Sequence, residues 1–392
     1  MSQPLEPHAP SWDVVVVGGG AAGAAAAFHL AKGGRSVLVL EQQWLPRSKP
    51  CGGGMAASVQ RLFPFDLSPA VDAVIEQVRF SWCLEDPVTA VLAGDAPFWI
   101  VRRSVLDAYL IEQAKAAGAT VVEGTTVLSA TREGGPGEGG HWRVRSEAGD
   151  YRCRAVVIAD GSGSQLAAQL GLGPAKPRFA STVSVDLEGP VAEKHTAYFE
   201  FGLVRHGFCW AFPREGGYSI GVGTFIGRDA ADSDAVLSQL LPSLGFAADA
   251  GQRRSGQLRI WDGHHALHGS GPTAGAVAVG DAASLCDPFL AEGLRPALLS
   301  GCRAAAALER WLGGDAKALE DYSTQMKREW GDSMAWGKRI AQVFYRLPKV
   351  GYQLGVKRPT APQRIGQILS GDMGYGDIAQ RVIKRLLFQR KS

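Results

Sequence analysis

The chain's first strong pattern is an unbroken β-branched run, Val14 to Val17. Such a run is expected of a strand buried on both faces of a parallel sheet. Gly18, Gly19 and Gly20 follow, then an alanine-rich stretch that predicts a helix, then Ser36 to Leu40 as a second apolar strand ending in Glu41. Residues 12–41 therefore predict a βαβ unit of about 30 residues. Trp44 to Met55 is loop-like and contains KPCGGGM. In VRRSVLDAYLIEQAKAAG, within 98–118, apolar positions recur every three to four residues, and Gly118 stops the predicted helix. GGPGEGG at 134–140 reads as a flexible turn between two strands, and Arg154 to Ala159 as another buried strand leading into Asp160-Gly161.

From about 181 to 262 the texture changes to short alternating strands with aromatics, including Tyr198–Phe201 and Tyr218–Val222. AVAVGD at 276–281 returns to the buried-strand pattern, and a long helix is predicted from about Glu292 to Leu312. These textures predict an α/β protein. A discontinuous Rossmann-like nucleotide domain takes 1–76, 98–180 and 276–337. A mostly antiparallel, β-rich substrate domain, 77–97 and 181–275, is inserted into it. A C-terminal basic helical segment takes 338–392.

Length and composition narrow the class. The 392 residues, 46% hydrophobic and 20% charged, suit a globular chain of two to three domains. A net charge of +3 is too mild to imply a nucleic-acid partner. No apolar run reaches the ~18–20 residues that span a bilayer. MSQPLEPHAP lacks a basic region followed by an apolar core, so no signal peptide is expected. The six cysteines are scattered without a CxxC pair, which fits a reducing, cytoplasmic setting. The histidines, including His264, His265 and His268, lack paired ligand spacing, so no metal is expected, and HHALH reads as an exposed turn.

Charge is unevenly spread. Residues 338–392 carry twelve Lys or Arg against Asp372 and Asp377, a local +10, leaving −7 on the rest. In the terminal RVIKRLLFQRK, Val382, Ile383, Leu386 and Leu387 share one helical face beside Arg381, Lys384 and Arg385. A basic amphipathic helix can rest on an anionic membrane surface. The alternative is a helix packed on the core with its charges in water.

Gly18-x-Gly20-x-x-Gly23 lies between a predicted strand and helix. The first glycine permits the tight turn, the second lets the backbone approach a pyrophosphate, and the third lets helix and strand pack closely. The helix N-terminus offers free N–H groups and a positive dipole end to phosphates. Glu41, 18 residues after Gly23, stands where an acid binds a ribose hydroxyl, which favours FAD or NAD over a 2′-phosphate. The motif occurs once, so FAD is expected to be held here, with any NAD(P)H docking transiently.

At these positions the chain resembles the FAD-dependent geranylgeranyl reductase family, within the group that shares the para-hydroxybenzoate hydroxylase fold. The resemblance spans essentially the whole chain. It rests on the N-terminal fingerprint, on KPCGGGM at 49–55, and on Arg103 with Asp107 four residues later. It continues through ADG at 159–161, GFCWAFP at 207–213, GDAASLCDPFLAEGL at 280–294 and SGDMGYGDI at 370–378. Two positions depart from the family pattern: Ala291 stands where glycine is usual, and Cys209 where glycine or a small residue is common.

The resemblance implies roles residue by residue. Ala22 and Glu41 contact the ADP half, and Val127 meets the adenine through its backbone. Arg103 reaches the pyrophosphate or ribityl region. Asp281 bonds the ribityl chain, unless it is simply a turn aspartate after a strand. Gly52 and Gly53 lie close to the flavin. Gly293 and Leu294 face the isoalloxazine edge through backbone N–H groups.

The implied reaction is hydride transfer from reduced FAD to isolated carbon–carbon double bonds of a geranylgeranyl chain on a diphosphate, pigment or lipid, with NADPH or ferredoxin as electron donor. An unpolarised alkene needs positioning, a proton source and a dry site. The aromatic supply for that site is Trp82, Phe98, Trp99, Phe201, Phe208, Trp210 and Phe212, with Trp210 and Phe212 inside a matched motif. Cys51 is the candidate catalytic group, as proton donor or gate. The alternative is a small residue filling space. The runner-up activity on the same fold is a flavin-dependent aromatic monooxygenase or halogenase.

Overall fold

The computed structural model describes residues 11–94, 97–134, 140–225, 230–358 and 360–380. The whole of the terminal RVIKRLLFQRK stretch, with the apolar face read from it, lies outside them, as does 135–139 of the glycine turn.

The β-branched run folds as read. Strand Ser11–Val17 pairs in parallel with Val37–Leu40 on one side and with Gly149–Ile158 on the other, and Val14, Val15 and Val16 are fully buried. Helix Ala21–Lys32 connects the first two strands and is buried along almost its whole length, because helices Arg103–Ala116 and Leu294–Leu312 pack on it from two sides. Alanines make that approach possible. A Cβ at Gly301 would collide with the carbonyl of Ala22, so the two backbones nearly touch.

The seven-stranded first sheet runs Thr120–Val122, Val37–Leu40, Ser11–Val17, Gly149–Ile158, His141–Ser146, Val127–Glu133, with Ala276–Ala278 also pairing Gly149–Ile158. The Gly149–Ile158 strand starts five residues before the apolar run that predicted it. Its first half pairs antiparallel with His141–Ser146, forming a half-exposed hairpin. Its second half, buried, pairs in parallel with Ala276–Ala278. Only the second half carried the buried-strand signature, since only it is covered on both faces.

The second sheet, also seven-stranded, runs Arg254–Ile260, Arg178–Glu188, Gly217–Thr224, Gly207–Arg214, Thr196–Phe201, Gln77–Trp82, Glu85–Val91. It is antiparallel except where Thr196–Phe201 meets Gln77–Trp82 in parallel. Its central strands are not alternately exposed, as the pattern suggested. Gly207–Pro213 and Gly217–Thr224 are buried throughout. The alternation is one of chemistry. Cys209 and Ala211 join Ile220, Val222, Leu237, Leu240 and Leu241 in a cluster under helix Ala230–Ser243, whereas Phe208, Trp210 and Phe212 join the main core on the other face.

A small third sheet (Gly54–Ala56, Phe98–Val101, Val71–Ile75) sits where the glycine loop ends. Among the described residues beyond Leu312 the chain is mostly helical, with helices Ala318–Met326, Asp332–Arg346 and Ala361–Leu369 and π-helical turns at Lys327–Gly331 and Tyr352–Val356. Position 338 falls inside helix Asp332–Arg346, so the basic segment is continuous with the helical layer before it. Phe344, Tyr345, Tyr352 and Tyr375 from this segment are buried in the main core.

Candidate active site

Between the C-terminal ends of the parallel strands and the aromatic face of the second sheet lies a cavity of about 530 Å³. That is where a doubly wound sheet places its ligands. Gly18, Gly20, Ala22, Glu41 and Val127 line one end. Cys51, Gly52, Gly53, Arg103 and Asp281 line the middle, with Gly293 and Leu294. Trp210 and Phe212 line the other end, with Phe98, Phe199, Phe208, Leu290 and Leu369. Gly23 does not reach the cavity. A Cβ there would collide with the Gly18 carbonyl, so this glycine seats the helix on the turn. Of the proposed aromatic supply, Trp82, Trp99 and Phe201 are absent from the lining. Phe201 packs instead against Phe344.

The glycine turn has backbone features that suit an anion. Gly18 has φ +102°, and a side chain there would strike Ala159 O. Gly20 is the N-cap of helix Ala21–Lys32 and no side chain caps the first turn, which leaves its N–H groups available. Glu41 closes the turn from the next strand. Its Oε2 accepts from Gly19 N–H at 2.7 Å and its Oε1 from Gln43 N–H at 3.0 Å.

Around Gly20 stand two arginines. Arg103, buried, forks onto Asp107 through Nε (2.9 Å) and Nη2 (2.7 Å). Burial alone would push the Arg103 guanidinium down, but the charge and hydrogen bonds of Asp107 outweigh it and hold it above its ordinary value. Arg47 adds a second cation, 3.2 Å from Asp107 Oδ2 and 3.5 Å from Glu41 Oε1. Lys49 pairs with Asp281 at 3.4 Å. Sequence reasoning missed Arg47 and Lys49. Their signal was the basic RSK run directly before PCGGG.

The loop at 50–54 is held by distant chain. Gly53 has φ +86°, and a Cβ there would collide with Val101 O of the third sheet. A Cβ at Gly52 would sit 3.0 Å from Trp210 Nε1 and 3.1 Å from the Phe212 ring. The protein's own packing therefore accounts for both glycines. Cys51 is half-buried, its Sγ accepting from Gly53 N–H at 3.3 Å and its carbonyl from Arg214. Cys209 lies on the opposite side of the second sheet, among aliphatics, where burial pushes its thiol up. Its departure from the family pattern does not alter the cavity wall. Trp210 Nε1 is buried without a partner in the protein.

The third loop is built from 287–294. Asp287 Oδ1 accepts from the N–H groups of Phe289 (2.6 Å) and Leu290 (3.1 Å), and its Oδ2 accepts from the hydroxyl of Tyr375 at 2.6 Å. Burial raises the Asp287 carboxyl. Tyr375 belongs to SGDMGYGDI, a motif to which the sequence reading gave no role; it props the loop from the far end of the chain. Glu292 is buried, with Oε2 bonded to Arg295 at 2.6 Å and Oε1 unpartnered, and burial raises its carboxyl to about 7. Ala291 takes φ +57°, the conformation glycine would adopt without strain. The predicted helix begins at Leu294, two residues later than read, with Gly293 as an N-cap lacking a side-chain bond. His264 and His265 are exposed, whereas His268 is half-buried against Ser323.

Two uncapped helix ends, three cations and the Gly18 cradle thus face one elongated cavity, polar at one end and aromatic at the other. This suits a dinucleotide with a reactive ring toward the aromatic end.

The family model for FAD dependent oxidoreductases matches residues 13–61 and 72–277. The chain is 29% identical over 351 residues to digeranylgeranylglycerophospholipid reductase 2 of Methanothermobacter thermautotrophicus, covering 85% of this chain and 88% of that one. Its fold matches a geranylgeranyl bacteriochlorophyll reductase-like protein from Thermoplasma acidophilum, with a TM-score of 0.76 and 21% identity over 92% and 91% of the two chains. A flavin-dependent brominase matches with a TM-score of 0.69 and 20% identity over 98% and 100%.

Proposed function

The protein belongs to the FAD dependent oxidoreductase family, and from that premise we propose that it is a reductase of carbon–carbon double bonds in geranylgeranyl chains carried by a diphosphate, a pigment or a lipid. One observation carries the reading. The cavity that begins at the dinucleotide turn continues without a break into a wall of Phe98, Phe199, Phe208, Trp210, Phe212 and Leu369, a lining that suits an apolar chain and not a small polar substrate.

When bound, FAD in its reduced form supplies the hydride. Gly20 and the first turn of helix Ala21–Lys32, with Arg47 and Arg103, hold the pyrophosphate. Glu41 takes the adenosine ribose, Val127 the adenine and Asp281 the ribityl chain. The N–H groups of Gly293 and Leu294 and the positive end of helix Leu294–Leu312 would favour negative charge at the ring edge. The aromatic wall orients the chain and excludes water. Cys51 Sγ delivers the proton, so each double bond gains one hydride and one proton. The electron donor would be NADPH or ferredoxin. The relative named for digeranylgeranylglycerophospholipid supports this reading over the halogenase one, since the reductase-like structure and the brominase alike share the fold alone.

The test is mass analysis after anaerobic incubation of the dithionite-reduced protein with geranylgeranyl diphosphate and a geranylgeranylated lipid. Products heavier by steps of two hydrogens are expected. Oxygen-dependent hydroxylation or halogenation of an aromatic compound, with no alkene reduced, would overturn the proposal.

A further inference from the structure

Large apolar side chains are rarely left in water in clusters. Among the described residues ten are exposed, and four fall within 343–354: Val343 (70%), Leu347 (61%), Val350 (50%) and Leu354 (56%). All four point to solvent from the end of helix Asp332–Arg346 and the short turns after it, with Leu347 breaking the helix at φ −131° while its N–H still donates to Val343 O and Gly351 N–H to Leu347 O. The opposite side is core. Phe344 packs on Phe201 and Phe289, Tyr345 stacks on Phe225, and Tyr352 is fully buried.

Charge selects the occupant. The stretch 338–357 holds five Lys or Arg and no acid. Arg346 and Lys349 are exposed between the apolar positions. The neighbouring hairpin tip adds Leu84, 40% exposed, held beside the stretch by the Tyr352 hydroxyl donating to Asp86 O (2.6 Å). The adjacent Asp86 carboxylate is neutralised by Lys357. Glu85 stands exposed beside Leu84, yet Arg346 and Lys349 make no ion pair among the described residues, and apolar positions interleaved with such cations match an anionic lipid surface, where the apolar side chains enter the acyl boundary and the cations meet headgroups. No helix among the described residues is long and apolar enough to cross a membrane.

We propose that Val343, Leu347, Val350 and Leu354, with Arg346 and Lys349, form a docking face for an anionic bilayer. The face is the outer side of the layer whose later helix, Ala361–Leu369, contributes Leu369 to the aromatic end of the cavity. A docked protein therefore presents that layer to the lipid phase in which a prenyl chain resides. The proposal stands independently of the reductase reading, because vesicle binding is measured without turnover.

The test is sedimentation of the full chain with phosphatidylcholine vesicles, with and without phosphatidylglycerol. Replacing Val343, Leu347, Val350 and Leu354 together by Ser should weaken binding to anionic vesicles at least about tenfold. Arg346→Gln with Lys349→Gln should remove the preference for anionic over neutral vesicles. Retained flavin absorbance checks folding, and Leu347→Ser alone, expected to weaken binding about threefold, carries the test should the quadruple variant lose it. Unchanged binding in the serine variants would overturn the proposal. So would complete loss of binding from Lys384→Gln with Arg385→Gln while the face is intact. Conversion by the serine variants of a self-associated protein to a monomer, with no vesicle binding at any composition, would overturn it in favour of a second copy of the chain.

Discussion

Two glycine-rich loops line the cavity, and they are held in different ways. The turn at 18–23 is nearly self-sufficient. Its shape follows from its own glycines, from the helix that starts in it, and from strands paired on either side. The loop at 50–54, and the 287–294 loop beside it, are shaped by chain far away: Val101, Trp210 and Phe212 press on the first, and Tyr375 braces the second. Binding the constant part of a cofactor needs only local geometry, whereas holding its reactive ring against a substrate needs walls from several segments at once.

Gly53→Ala tests the dependence most severely. It forces both a positive φ and a collision with Val101 O, and should cost about 3 kcal/mol or more, whereas Gly52→Ala meets only side chains that can shift and should cost about 1 kcal/mol. Denaturant midpoints of the two variants give the comparison; equal losses would mean that the third sheet does not clamp this loop.

The bracing of the 287–294 loop should appear in pH dependence. Glu292 has a carboxyl raised to about 7, so its neutral form is the one the fold favours. Its stabilising contribution is complete below the unfolded value near 4.5 and is lost as pH rises through about 7. The raised Asp287 acts in the same direction. Glu292→Gln should therefore flatten the fall in stability between pH 5 and 8 by an amount on the order of 3 kcal/mol. Unfolding curves at the two pH values check this, and an unaltered slope would remove Glu292 from the account.

The smallest effect is expected at Ala291. Glycine relieves the positive φ but costs some chain entropy, so Ala291→Gly should raise stability by about 0.5–1 kcal/mol. A fall in the thermal midpoint would mean that the alanine methyl packs usefully against the cavity wall.

By itself the sequence determined the βαβ unit at 12–41, the dinucleotide turn and the acid that closes it. Those depend on interactions within some thirty residues, where β-branched runs, glycine spacing and helix periodicity act directly on the backbone. It also marked Trp210 and Phe212 through the alternation in FCWAF, but could not say which face meets the cavity. Only the tertiary structure decided that Cys209 turns away under helix Ala230–Ser243, that Arg47 and Lys49 join Arg103 and Asp281, and that Tyr375 reaches back to Asp287. Such pairings join residues tens to hundreds of positions apart. Each is set by which surfaces the packed sheets and helices bring together, and no short-range pattern carries that information.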